Sequence, residues 1–234
     1  MESAIQKSKT NVISDPKETL QTFNLLELQQ YTAEGAYSSN ASTDVHLFYV
    51  GRDDVHDILK HILSRVSVSL YLNMYGYDDA ELNGILMDLV KDPTVTMLVT
   101  LDRSQVHGLT ERGLLTKDMA ENAAGMNTHF VVGESQTHQI SHTKGFVADG
   151  RVALEGSTNW SQSGEGIFLF SDHGKPVAGG PKYKAQNNTA CVITDPDTIS
   201  RFQTELVREH MIAKAQDKSS LSEAMEVEPA AAHS

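Results

Sequence analysis

At 234 residues, 39% hydrophobic and 21% charged, the chain is long enough for one well-buried domain and too short for two comfortable ones. Its composition lies outside the disordered and fibrous ranges. The formal net charge of −12 argues against a non-specific electrostatic grip on nucleic acid, and a single cysteine, Cys191, excludes an internal disulfide.

Residues 1–15 are polar and aperiodic, and residues 214–234 are rich in Ala, Ser and Glu with no apolar rhythm. They read as a flexible N-terminus and a disordered acidic tail around one folded domain over 16–213. No run of 18 apolar residues is present and Met1–Lys9 has no apolar signal core, so no membrane span and a cytoplasmic location are expected. Val45–Val50 reads as a strand, followed by Val55, Ile58, Leu59, Ile62, Leu63 and Val66 at helical spacing. Ser67–Tyr75 is a second strand. Asp78 and Glu81 form a capping box before the helical series Leu82, Ile85, Leu86, Leu89 and Val90. A third strand spans 95–101, a helix 105–122 and a fourth strand 129–132. Residues 145–155 form a hairpin turning at Asp149-Gly150. Thr189–Thr194 is a further strand, and Asp195-Pro196 supplies an N-cap and a first-turn proline for a helix carrying Ile199, Phe202 and Leu206. Strands alternating with helices, plus a hairpin, predict an α/β fold with a mixed central sheet flanked by helices.

The chemistry is concentrated between His142 and Asn159, which read H-x-K, four residues, D, six residues, G-S-x-N. On a strand, His142 and Lys144 project from one face, pairing a nucleophile or base with a fixed positive charge suited to an anion. The hairpin returns Gly156-Ser157-Thr158-Asn159 alongside His142. There glycine permits close backbone approach, and Ser157 and Asn159 offer neutral donors to phosphate oxygens. From His142 to Lys184 there are five basic and four acidic residues, against 14 and 27 elsewhere, so the acidity lies outside this segment.

These six positions, His142, Lys144, Asp149, Gly156, Ser157 and Asn159, resemble the signature of the phospholipase D superfamily in its single-motif form, as in bacterial endonucleases. Asn187-Asn188-Thr189-Ala190 followed by a strand and Asp195-Pro196 is similar to that family's segment after the motif, so the resemblance spans 45–210. It implies a phospholipase D-like α/β sandwich and a phosphodiesterase in which His142 attacks phosphorus to form a phosphohistidine, with Lys144, Ser157 and Asn159 holding the phosphate. The motif places Asp149 with the catalytic set, although an aspartate before glycine in a turn already has a structural reason to be there. In that family a second histidine serves the leaving side, which in-line displacement puts out of reach of the first. Members with one motif build the site across a dimer, so the resemblance implies a two-fold homodimer sharing one site, whose paired lysines stabilise the transition state with no metal and no cofactor. The family often has a glutamate that orients the catalytic histidine; Asn188 falls at that place, and Glu165 and Asp172 are nearby carboxylates available to substitute. Nucleic acid is the substrate this reading favours. A phospholipase D-type lipid hydrolase or transferase is a second reading, and a catalytically lapsed binding scaffold a third.

The remaining features have plainer readings. His138 and His142 share a strand face but have no third metal ligand nearby. Trp160 packs in the core more readily than it stacks on a base. Cys191 is a buried, inert thiol. His173-Gly174-Lys175 repeats H-x-K without the rest of the motif and lies in a Gly/Pro-rich loop. The insert 160–186 is long enough to serve as a lid or substrate-selecting loop.

Overall fold

The computed structural model describes residues 18–33, 37, 41–104, 128–133, 140–171, 175–176 and 184–226. The helix expected over 105–122, together with His138, Asp172 and His173, lies outside them. The strands are β1 (Val45–Tyr49), β2 (Ser69–Met74), β3 (Thr96–Asp102), β4 (Thr128–Gly133), β5 (Lys144–Ala148), β6 (Val152–Gly156), β7 (Phe170–Ser171), β8 (Lys175–Pro176) and β9 (Thr189–Ile193). Seven of them form one sheet in the order β1-β9-β6-β5-β2-β3-β4. β2, β3 and β4 are parallel, and β1, β9, β6, β5 and β2 pair antiparallel. The mixed sheet expected from alternating elements and a hairpin is present. Its parallel half includes β2 and β3, which a helix over Ala80–Val90 separates, and its antiparallel half contains the tight turn.

Helices cover both faces. α1 (Val55–Leu63) and α2 (Ala80–Val90) bury Ile58, Leu59, Ile62, Leu82 and Leu86 against Leu70, Leu72, Phe146 and Val192. The period of these residues on the helix explains their burial: i, i+3 and i+4 positions form one stripe. The long C-terminal helix, α4 (Pro196–Glu226), crosses the other face, where Ile199 and Leu206 meet Val147 and Ala153. A short helix, α3 (Gln162–Glu165), follows the motif and is capped by Ser161. β5, the central strand of the seven-stranded sheet, is buried along its whole length because a helical layer covers each of its faces.

Two expectations differ from the structure, and one segment went unread. α2 begins one residue later than the capping box predicts. Asp79, not Asp78, is the N-cap and accepts the Leu82 N–H at 2.7 Å. The N–H groups of Asp78 and Asp79 both donate to the Trp160 carbonyl, which fixes Asp78 outside the helix. Glu81 is thereby released from a capping role. α4 runs to Glu226, well past Lys214 where the acidic tail was expected, because Ala, Lys, Gln, Leu, Glu and Met sustain a helix by propensity without an apolar stripe. A segment missed in the sequence also belongs to the core. Leu20, Leu25 and Leu28 are buried on two short 3-10 turns, Leu20–Thr22 and Leu25–Tyr31, the second closed by a capping box between Asn24 and Glu27.

Candidate active site

The site lies at one end of the sheet, where β2 and β3 finish and β5 begins. β2 pairs with β5 in a register that sets Met74 opposite Lys144, so Tyr75 and Gly76 leave the sheet beside the start of the motif. His142 lies just before the β5 ladder rather than within it. The argument from strand alternation therefore does not apply to His142. The two side chains occupy different surroundings instead: His142 is exposed and Lys144 is only 4% exposed.

Tyr75 brings them together. Its ring stands edge-on to the His142 ring with centroids 4.5 Å apart, and the Lys144 ammonium lies 4.9 Å from the Tyr75 centroid. Lys144 Nζ also donates to the His142 carbonyl at 2.8 Å. Burial lowers the Lys144 pKa, partly offset by the charges of Glu155 and Asp102. A desolvated ammonium of this kind gains more from an incoming anion than a hydrated one does. Asn159 approaches from the other end of the hairpin, its Oδ1 accepting the Gly76 N–H at 3.3 Å. A Cβ on Gly76 would lie 3.0 Å from Asn159 Cγ, so glycine is what lets the asparagine come this near. Gly156 has the same function in the sheet: a Cβ there would be 2.1 Å from the Thr189 carbonyl oxygen.

The other motif residues turn toward the scaffold. Asp149 lies at the opposite end of β5 from Lys144, at φ 53° in the turn with Gly150 at φ 61°. Its carboxylate accepts the N–H groups of Ser67, Val68 and Ser69 and the Ser67 hydroxyl. These bonds clamp the start of β2 to the hairpin, which is the structural reason an aspartate before glycine already had. Ser157 Oγ donates to Asn188 Oδ1 at 3.1 Å and accepts the Thr189 N–H at 2.9 Å, so its hydroxyl is engaged in the scaffold. The Asn188 amide donates to the Gly164 carbonyl and to Gln186 Oε1. With both ends of the amide occupied, Asn188 makes no hydrogen bond to His142 here and instead holds the loop that carries Ser157. Glu165 does not substitute either. It is fully buried, with Oε2 2.5 Å from His56 Nδ1. Burial pushes the Glu165 carboxyl up, and the carboxylates around His56 outweigh burial to hold a proton on its ring.

Two contributors went unread in the sequence. Tyr75 appeared only as part of a strand. Asp102, at the end of β3, accepts the Ser141 N–H at 2.5 Å and both the N–H and hydroxyl of Ser104, and so fixes the backbone immediately before His142. A buried aspartate at the carboxyl end of a parallel strand is a signal that could have been found. Trp160 is fully buried against Tyr77 and Phe146, which places it in the core as the plainer reading held. Cys191 is half-buried, its thiol pushed up by burial and by Glu155.

Neither a protein-family model nor a curated protein sequence matches the chain. Solved structures do match. Nuc from Salmonella typhimurium, a phospholipase D family member, superposes with a TM-score of 0.53 at 13% identity over 70% of this chain and 92% of that one. NucT from Helicobacter pylori gives 0.51 at 13% identity over 70% and 94%. The chain therefore has the phospholipase D fold, in agreement with the motif. Among the described residues no helix is long and apolar enough to cross a membrane.

Proposed function

We propose that the protein is a phosphodiesterase in which His142 is the nucleophile, and that its substrate is a nucleic acid. The observation that carries this reading is the convergence of His142, Lys144 and Asn159 on the Tyr75-Gly76 turn. A Lys–His pair and a neutral donor meet there from segments far apart in sequence. An imidazole nitrogen of His142 attacks phosphorus as the P–O bond to the leaving alkoxide breaks, and a proton passes to that oxygen from a second imidazole. Water then attacks the phosphohistidine, losing its proton to the second imidazole, and the P–N bond breaks. Lys144 and Asn159 stabilise the charge on the non-bridging oxygens at both steps.

The second imidazole is His142 of a second copy, placed across a two-fold axis. The exposure of His142 supports this arrangement, since a nucleophile completed by another subunit has to face outward. Single- and double-stranded DNA, RNA and a chromogenic phosphodiester, each incubated with the protein in EDTA, provide the test. Cleavage in EDTA that falls by roughly three orders of magnitude or more in His142→Ala is the expected result. Nucleic-acid cleavage unaffected by that substitution refutes the proposal. Headgroup release from phospholipid vesicles without any nucleic-acid cleavage replaces the substrate by a lipid and retains the chemistry.

A further inference from the structure

A second cluster of chemically capable groups contains no residue of the motif and takes no part in the reaction proposed above. His56 is on the first turn of α1, Asp79 is the N-cap of α2, and Glu165 is the last residue of α3. All three are buried, at 5%, 4% and 0% exposure. Each contributes one ligand-type atom to a group whose members lie within 4.8 Å of one another. His56 Nδ1 is 2.5 Å from Glu165 Oε2 and 3.7 Å from Asp79 Oδ2.

Two features separate this cluster from an ordinary buried ion pair. First, Glu165 Oε1 is buried with no hydrogen-bond partner while its twin oxygen is on His56. An orphaned carboxylate oxygen in a protein interior is costly, and a cation that takes one or both oxygens removes that cost. Second, the far nitrogen of the same ring is already held. His56 Nε2 is 3.0 Å from Glu81 Oε2, and Glu81 is anchored by Lys60 at 2.6 Å. A carboxylate on one imidazole nitrogen, leaving the other to face carboxylates, is the arrangement that orients a metal-ligating histidine. Lys60 balances Glu81, and an ion that displaces the protons held on His56 and Glu165, as ligation requires, meets one neutral imidazole and two carboxylates.

We propose that His56, Asp79 and Glu165 bind a divalent transition-metal ion of the zinc class. One nitrogen and two carboxylate donors suit zinc, with a fourth position left for water. Seating the ion needs His56 Nδ1 and Glu165 Oε2 to part from hydrogen-bonding distance to about 3.3 Å, the spacing of two ligands on a tetrahedral ion with bonds of about 2.0 Å. This movement is under 1 Å. The ion joins α1, α2 and α3 next to the Trp160 carbonyl, which already holds the backbone of Asp78 and Asp79. Its role is to secure the segment that carries Asn159; it takes no part in the phosphoryl transfer.

The test uses the full chain, stripped with EDTA and titrated with Co²⁺ and then Zn²⁺. The expected result is one equivalent of Co²⁺ giving a ligand-field absorption band that Zn²⁺ abolishes, with a rise in thermal midpoint when Zn²⁺ is bound. Asp79→Asn keeps an N-cap acceptor and so keeps the helix; it should remove the band while leaving the far-ultraviolet circular dichroism unchanged. Glu81→Gln, which alters the far ring nitrogen and the Lys60 pair but none of the three ligand atoms, should weaken Co²⁺ binding by about 10- to 100-fold. The proposal is overturned if the folded wild-type chain gives no band, or if Asp79→Asn binds Co²⁺ as well as wild type does. In either case the cluster is a metal-free ion pair.

Discussion

Lys144 and Asp149 lie at opposite ends of β5 and show how one motif places its residues in different surroundings. Lys144 is nearly buried, and that burial lowers its pKa, with Glu155 and Asp102 partly opposing the shift. Its ammonium therefore discharges at lower pH than an ordinary lysine. The phosphodiesterase rate should fall on the alkaline side in step with it, and Lys144→Arg, if active, should lose that alkaline limb because guanidinium stays charged. A pH–rate profile of both proteins measures this. Asp149 predicts the opposite kind of effect. Asp149→Ala removes the acceptor for three backbone N–H groups and puts alanine at a positive φ. It should cost about 2–4 kcal/mol of stability, while activity per folded molecule changes little. Asp149→Asn, which tolerates the left-handed region and keeps one acceptor, should cost roughly half as much. Urea denaturation with parallel rate measurements separates the two effects.

At the scale of elements, the hairpin β5–β6 and its neighbour β9 carry the site, and their fit is set by close backbone contact. Gly156→Ala places a methyl group 2.1 Å from the Thr189 carbonyl oxygen. It should destabilise the protein by about 3 kcal/mol or more, because β9 would have to move away from β6. A lowered urea midpoint with an unchanged m-value is the expected observation. The hairpin strands were legible in the sequence because short apolar runs on either side of an Asp-Gly turn are a local signal. The N-terminal 3-10 turns were not, since Leu20, Leu25 and Leu28 fit neither a helical nor a strand period. For Glu27, burial raises the pKa, but hydrogen bonds from Arg65 and the Asn24 backbone and the charge of Arg65 outweigh it, and the carboxyl is held below its usual range. A depressed carboxylate stabilises the fold above its unfolded pKa and loses that contribution as pH falls through its folded value. Arg65→Met should therefore lower the thermal midpoint at neutral pH and make less difference at pH near 3.

For the whole molecule, a single nucleophile with an exposed ring predicts that activity depends on assembly. Specific activity should fall on dilution as dimers part. Mixing wild type with an excess of His142→Ala should titrate activity out by forming heterodimers with one histidine. Sedimentation and rate measurements over the same concentration range check this. A monomer whose specific activity is constant on dilution contradicts the shared site. The net charge of −12 sharpens the point for a nucleic-acid substrate. Attraction must come locally from Lys144 and its copy rather than from the overall field, so affinity should have a shallow salt dependence.

The sequence by itself determined the layer architecture and most strand and helix positions among the described residues, and its motif spacing singled out His142, Lys144 and Asn159 as the proposed set. Periodicity, turn chemistry and motif spacing are written in local residue order. Only the tertiary structure decided what each polar group touches. Tyr75 and Asp102 reached the site because β2 and β3 end beside β5, which no local signal records. Asn188 and Ser157 bonded to each other, and Glu165 paired with His56 across 109 residues. The physical reason is that a hydrogen bond or an ion pair depends on distances of a few tenths of an ångström between chain segments. Those distances exist only once the sheet order and the packing of α1, α2 and α3 are set.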